Sequence, residues 1–458
     1  MVFILTVVVL QSISFTNYAL TTKTTNIIYG SAPYLTFDGG RTRVTNTAAL
    51  LGISLSDGRT FTPTTNNSER NPIVLPVVGQ SFADIGMLVP RNTISIGLSS
   101  LIGAPYNYWG DDDGDGQGDN GVTATGSLWI SIVDKNNQAV SRNEVLTSCK
   151  APYQLTLSYG SGRLKTRYGV PNESRFTAGN ATYYINPKAS PVICFARPDL
   201  GERATRQGLS AAVWNPDKGF LTQSVTPSSY DLNFPTTGAN NVYFDLDIGG
   251  NNQALSWAPV SHGGITATMT DSTSTSVRVT LTGPFSTRSQ WFLRNPGEIA
   301  KPSLPQVFEL VGRDSSGNAV VKYGFKLKQW FVNRGDYESW SGATPWCTNI
   351  GYRMPKVLEL TNASCRGRNS GSWCQGAVGA TPSSPDNYLR RHIGGGLLAE
   401  WGWMFYYRDS NFFIAGGGYR TADRNNNPTT SVEKYFSVEG DGSVKGSSTP
   451  PLEVCVYP

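Results

Sequence analysis

The stretch Asp111-Asp-Asp-Gly-Asp-Gly-Gln-Gly-Asp-Asn-Gly121 holds the side chains of this sequence best suited to bind a metal ion. Asp111, Asp113 and Asp115, followed by Gly116, match the D-x-D-x-D-G opening of a calcium loop, and Asp119 stands at its ninth position. A hard dication wants several oxygens at about 2.3–2.6 Å, and alternate carboxylates on a glycine-bent loop can converge on one point. Carboxylates this crowded repel one another unless an ion or water offsets them. The pattern stops short of an EF-hand: Val122 occupies the twelfth position, where a bidentate Glu belongs, and no helical periodicity flanks the loop. The expectation is a loop between strands stiffened by Ca2+, with a solvated Asp/Gly loop as the alternative.

Other chemistry is sparse. Six cysteines (Cys149, Cys194, Cys347, Cys365, Cys374 and Cys455) include no C-x-x-C pair, which argues against zinc and for disulfides made in an oxidising compartment. Cys149–Cys194 and Cys365–Cys374 would join nearest neighbours, and Cys347–Cys455 would close the segment between them; buried free thiols are the alternative. The two histidines, His262 and His392, read as loop or packing residues. There is no G-x-S-x-G elbow and no Walker A loop. Gly114, Gly116 and Gly118 sit among aspartates, which would repel phosphate. Paired carboxylates for glycoside hydrolysis have no signature in a single sequence. The reading is of a protein that is not an enzyme and has no organic cofactor.

The elements that must position these residues are strands. The chain has 458 residues, enough for two to four domains, with only 16% charged residues and 49 glycines, a balance suited to turn-rich β structure. The net charge of +5 is scattered rather than gathered on one face, which sets nucleic acid aside as a partner. Residues 1–21 begin with the apolar run Met-Val-Phe-Ile-Leu-Thr-Val-Val-Val-Leu, too short for a membrane span. They read as a secretory signal with Ala19 near the cleavage point, although no Lys or Arg precedes the run. A buried first strand is the alternative. A secreted or cell-surface location follows.

Residues 22–200 read as one β-rich domain around the Asp-rich loop, with alternating runs Ser127-Leu-Trp-Ile-Ser-Ile-Val and Gln154-Leu-Thr-Leu-Ser-Tyr. Polar residues 201–215 form a connector. Residues 215–335 alternate in regularly spaced segments, among them Val242-Tyr-Phe-Asp-Leu-Asp-Ile, Ser276-Val-Arg-Val-Thr-Leu-Thr and a hairpin turning at Ser315-Ser-Gly-Asn318, which predicts an Ig-like β-sandwich. Residues 340–458 form a third module. It should open with a strand at Cys347 and a helix led by Pro355, and carry the aromatic block Glu400-Trp-Gly-Trp-Met-Phe-Tyr-Tyr407. The fold class is thus mostly β, with tandem sandwiches followed by an α+β module.

That third module resembles a known family. Cys347-x3-Gly351-Tyr-Arg-Met-Pro355-x3-Glu359-Leu360 is similar to the opening of the C-type-lectin-like module found in intimin/invasin-type bacterial adhesins. Glu400-Trp-Gly-x2-Phe-x-Tyr407 resembles its E-W-G…Y strand signature, and Pro451-Leu-Glu-Val-Cys455-Val its closing strand. The resemblance covers residues 340–458; upstream it extends loosely to enterobacterial adhesin ectodomains. It implies binding rather than catalysis: an exported adhesin that grips a host or bacterial surface protein. Secretion as the partner of an intimin-like outer-membrane translocator, or calcium-dependent glycan binding, are the alternatives. The calcium triplets of sugar-binding lectins are incomplete at Ser384-Pro385-Asp386-Asn387 and Trp401-Gly402-Trp403. Ligand contacts are expected instead from Arg366, Arg368 and Trp373 in the Cys365–Cys374 loop, and from Tyr388, Arg390 and Arg391 in the next loop.

Overall fold

The computed structural model describes residues 29–458 except 66, 117–120, 201–205, 336–342, 413–417, 427–433 and 447–451. The expected signal segment and Asp119 lie outside the described residues. The chain is mostly β, in several antiparallel-dominated sheets with short helical turns.

The first core spans Leu35 to Ile185. Its main sheet has five strands in the order Ile73–Val74, Gly179–Asn186, Tyr153–Tyr159, Ser127–Val133 and Ser95–Gly97. Period-two alternation decides which side chains go inward: Tyr153, Leu155, Leu157 and Tyr159 are buried, while Gln154, Thr156 and Ser158 take the other face. A second sheet of three strands, Glu173–Phe176, Gly162–Thr166 and Val122–Thr125, receives the chain as it leaves the Asp-rich loop.

The second core begins earlier than the composition suggests. Strand Val192–Arg197 belongs to a seven-stranded sheet with Val242–Gly249, Ser276–Thr282 and Ile265–Thr270, so residues 192–200 join the sandwich rather than the first domain. Cys194 lies on that strand, and the Cys149–Cys194 disulfide therefore ties the first unit to the second instead of closing the first on itself. The facing sheet, Ser256–Trp257, Gln306–Arg313 and Ala319–Leu327, meets it through rings such as Phe244 and Phe325, whose centroids are 6.0 Å apart. Each such buried ring contributes about 1.5–3 kcal/mol.

The sandwich and the third module share this core, which runs unbroken from Ile193 to Val456. Strand Gln329–Asn333 pairs in parallel with Thr237–Ala239 and antiparallel with Val454–Tyr457, so a strand of the third module completes a sheet begun in the sandwich. Trp401 packs on Phe234 at 4.8 Å and on Phe244 at 6.1 Å. The junction expected near 335–340 divides no core.

Local structure in the third module departs from expectation in three places. Cys347 sits in the helix Ala343–Asn349, not a strand, and reaches Cys455 from there. Pro355 lies outside the single-turn helix Val357–Leu360, which begins after Lys356; the side chain of Glu359 accepts from the Lys356 amide at 2.8 Å. The aromatic block forms the helix Leu397–Trp401 and the 3-10 turn Met404–Tyr406 rather than a strand. Gly402 ends that helix at φ +81°, where a Cβ would collide with the Arg391 guanidinium.

Candidate functional site

Three regions deserve comparison as sites, two with buried carboxylates and one an exposed surface.

In the first unit the Asp-rich loop leaves the strand Trp109–Gly110 and ends at Val122–Thr125, so it lies between strands. Asp112 turns outward to a salt bridge with Arg43 and accepts from the Tyr34 hydroxyl at 3.2 Å. Asp111 and Asp115 are drawn in while Asp113 stays exposed, and each of the three offers a carboxylate oxygen within 4.8 Å of the others. Asp113 Oδ2 accepts the Ser31 amide at 2.6 Å, and Asp111 Oδ2 the Gly116 amide at 2.9 Å. Asp115 is only 6% exposed, and among the described residues neither of its carboxylate oxygens has a donor; Asp111 Oδ1 and the Ser31 hydroxyl are likewise buried without a partner. Glycine lets the chain come this close: a Cβ at Gly169, where φ is +90°, would strike Asp115 Oδ2, and one at Gly30 would strike Asp113 Oδ2. Burial, then the proximity of Asp113, raises the Asp111 carboxyl to about 6. The position of Val122 in the loop supplies no carboxylate.

The second carboxylate was not singled out as a site from the sequence. Glu400, fully buried on the helix Leu397–Trp401, accepts from the Thr236 and Thr237 amides at 3.0 and 2.9 Å. It also accepts from both threonine hydroxyls at 2.7 and 2.6 Å, and from the Gly394 amide at 2.8 Å. These bonds lash the third module to the strand Thr237–Ala239. Beside it Arg391, also fully buried, donates to the carbonyls of Glu400 at 2.8 Å and Asp199 at 2.5 Å, and lies 4.9 Å over the Trp214 ring. Burial lowers its guanidinium to about 10. A lone Glu inside the apolar run Leu397-Leu-Ala-Glu-Trp401 was the sequence signal, since a charge flanked this way is buried and bonded.

The third region is a surface. Of the six residues expected to touch a ligand, Arg366, Arg368 and Trp373 are exposed on the loop closed by Cys365–Cys374, and Arg368 reaches over the half-buried Tyr388 ring at 5.4 Å. Trp373 is 41% exposed and the neighbouring Val378 67%. Arg391 points inward and takes no place on this surface. Arg390 is also drawn in, paired with Asp386 at 2.9 Å and donating to Gln207. The two loops are joined below: the buried Asn387 takes the Arg368 carbonyl through its amide at 3.0 Å and donates through its side chain to the carbonyls of Asn369 and Val444. Asp386 and Asn387 are thus spent internally and do not form a lectin-type cation site. His392 Nδ1 lies 2.7 Å from the Ile393 carbonyl, and His262 is exposed beside Phe308.

No protein-family model matches this chain, and no curated protein matches it in sequence. Among solved structures it is similar to a C-terminal 282-residue fragment of intimin, determined in complex with the intimin-binding domain of the translocated intimin receptor. That likeness has 12% identity and a TM-score of 0.29, over 73% of this chain and 93% of that one. It is also similar to the Bacteroides ovatus protein SGBP-B of a mixed-linkage glucan utilization locus, bound to a heptasaccharide, at 15% identity and a TM-score of 0.16, over 58% and 72% of the two chains. Superpositions this loose carry no argument about function.

Proposed function

We propose that this chain is an exported adhesin that binds a protein on a host or bacterial surface through the face built by the 365–378 and 384–388 loops. One observation carries this reading: an exposed Trp and two exposed Arg on a loop that a disulfide and the buried Asn387 hold in one shape. Tryptophan and arginine are the side chains that most often dominate interface energies, and a pre-ordered loop loses little entropy on binding. Three disulfides fit an oxidising, extracellular setting, and among the described residues no helix is long and apolar enough to cross a membrane. The two buried charges of the third module, Glu400 and Arg391, are absorbed in bracing it, which favours recognition over catalysis.

The test uses substitutions, because removing 340–458 would also take a strand from the sandwich. Beads coated with the intact chain, Trp373→Ala, or Arg366→Glu with Arg368→Glu are applied to cultured epithelial cells and to bacteria. Trp373→Ala should lower bead retention at least about 10-fold, with an unchanged unfolding midpoint. Retention equal to the unaltered chain in both variants would sink this surface as the binding face. Loss of retention after trypsin treatment of the cells, but not after glycosidase treatment, supports a protein ligand over a glycan.

A further inference from the structure

Buried carboxylate oxygens without donors are costly, and each one in a folded protein requires an account. Here three such oxygens, both of Asp115 and one of Asp111, face a cluster that already contains Asp113. Among the described residues no internal donor answers them: the Gly116 and Ser31 amides bond other oxygens of the cluster. Arg43 is committed to Asp112, on the outward side. A cationic group that enters the cluster would be held by oxygen alone, without nitrogen or sulfur, the donor set of a hard divalent ion.

We infer that Asp111, Asp113 and Asp115 bind one calcium ion, and that this ion clamps three separate segments of the first unit. The segments are identifiable from what touches the carboxylates. The first is Gly30-Ser31, whose serine amide holds Asp113 and whose glycine amide donates to Val170 at 3.1 Å. The second is the stretch from Asp111 to Gly116. The third is the turn at Gly169, against which Asp115 rests. A further oxygen is close at hand in the buried, unpartnered Ser31 hydroxyl. Missing the carboxylate at the loop's twelfth position, the site recruits its surroundings from distant parts of the chain rather than from an adjoining helix. Calcium accepts such irregular oxygen shells, whereas magnesium demands a near-ideal octahedron and sheds water reluctantly.

Terbium, which takes calcium sites and luminesces when excited through a nearby indole, reads the site directly. The Trp109 ring packs against Gly116, at the base of the loop. The full chain, stripped with EGTA, is titrated with terbium and then with calcium. Expected are sensitised emission at one ion per chain, displacement by calcium, and displacement by magnesium only at concentrations on the order of 100-fold higher. Asp115→Asn and, separately, Asp113→Asn should weaken binding on the order of 100-fold, whereas Asp112→Asn, on the outward side, should leave it unchanged. Trp109→Phe should dim the emission with calcium binding retained by calorimetry. If the unaltered chain gives neither emission nor heat, or if the Asp113 and Asp115 variants both bind as it does, the site is only a hydrated acidic turn and the inference falls. Magnesium displacing terbium as readily as calcium would overturn the calcium assignment.

Discussion

Asp115 and Glu400 are the same functional group in two different settings. Both are buried, the first behind a glycine turn, the second on a helix packed against the sandwich. Glu400 is surrounded by three backbone amides and two hydroxyls, so its charge is solvated by the protein itself. Asp115 has, among the described residues, no donor and two carboxylates for neighbours. The difference teaches how to tell a brace from a site. A buried charge whose lone pairs are all taken has finished its work in holding segments together, whereas one left unanswered is a place where something from outside can bind.

The largest test of that contrast is Glu400→Ala. It strands the donors of Thr236, Thr237 and Gly394, and urea unfolding should show a loss of about 4 kcal/mol. Glu400→Gln keeps one acceptor and should lose about half as much. Near-neutral behaviour in both would mean the bonds to Glu400 brace nothing. Next comes the pair Cys149→Ser with Cys194→Ser. It removes the staple between the units, costing about 2–4 kcal/mol, and calorimetry should then resolve two transitions, only the first-unit one moving with calcium. Asp115→Asn should change sign with the medium. In EGTA it relieves repulsion and is at least as stable as the unaltered chain; with calcium at 100 times the dissociation constant it forgoes about 2.7 kcal/mol of ligand-linked stability. Thermal midpoints in the two media would cross, and parallel lines would contradict the contrast.

The smallest effect is one of pH. Burial alone would raise the Glu359 carboxyl, but hydrogen bonds from Arg353, the Lys356 amide and Gln329 outweigh it and hold the group below its usual value. A carboxyl depressed in the folded state adds stability that is present above its unfolded value, near pH 4.3, and lost as pH falls through the folded one. Arg353 is 45% exposed on its side chain, so solvent screens the pair and the gain stays under about 1 kcal/mol. Glu359→Gln should flatten the acid limb of the stability–pH curve below about pH 4; an unchanged limb would assign acid sensitivity to other groups.

Much of the β structure was legible because alternation is a local property. Ser276–Thr282 and Ile265–Thr270 appear where inward Val, Leu, Ile and Ala alternate with Thr and Ser, since each strand's inward set is written in its own residues. The clustered aspartates were legible from the D-x-D-x-D-G spacing, which belongs to a turn and not to a strand. What alternation does not encode is which strand meets which. Nothing near Val454 announces that it pairs with Asn333, so the shared core remained hidden and residues 215–335 and 340–458 read as two domains. Arg390 and Arg391, adjacent and charged, look like surface residues in any one-dimensional pattern. That Arg391 is enclosed depends on Trp214 and Asp199, brought beside it only by the fold. The strand expected at Trp401 failed for a related reason: Gly396 and Gly402, both at positive φ, cut the run into a single helical turn.

The pairing of Gln329–Asn333 with Val454–Tyr457 also sets an order of events during synthesis. Among the described residues the first core draws on none beyond Ile185, so that unit is expected to fold while the rest of the chain is still emerging. The sandwich cannot: its sheet edge at Gln329–Asn333 and the cavity that receives Trp401 wait for residues more distant in sequence. Until they arrive the edge is open to strands of other chains. A secretion route that threads this chain from its first residue onward would therefore have to shelter the sandwich, and slowing delivery of residues 397–457 should increase aggregation of the intermediate while the first unit remains native.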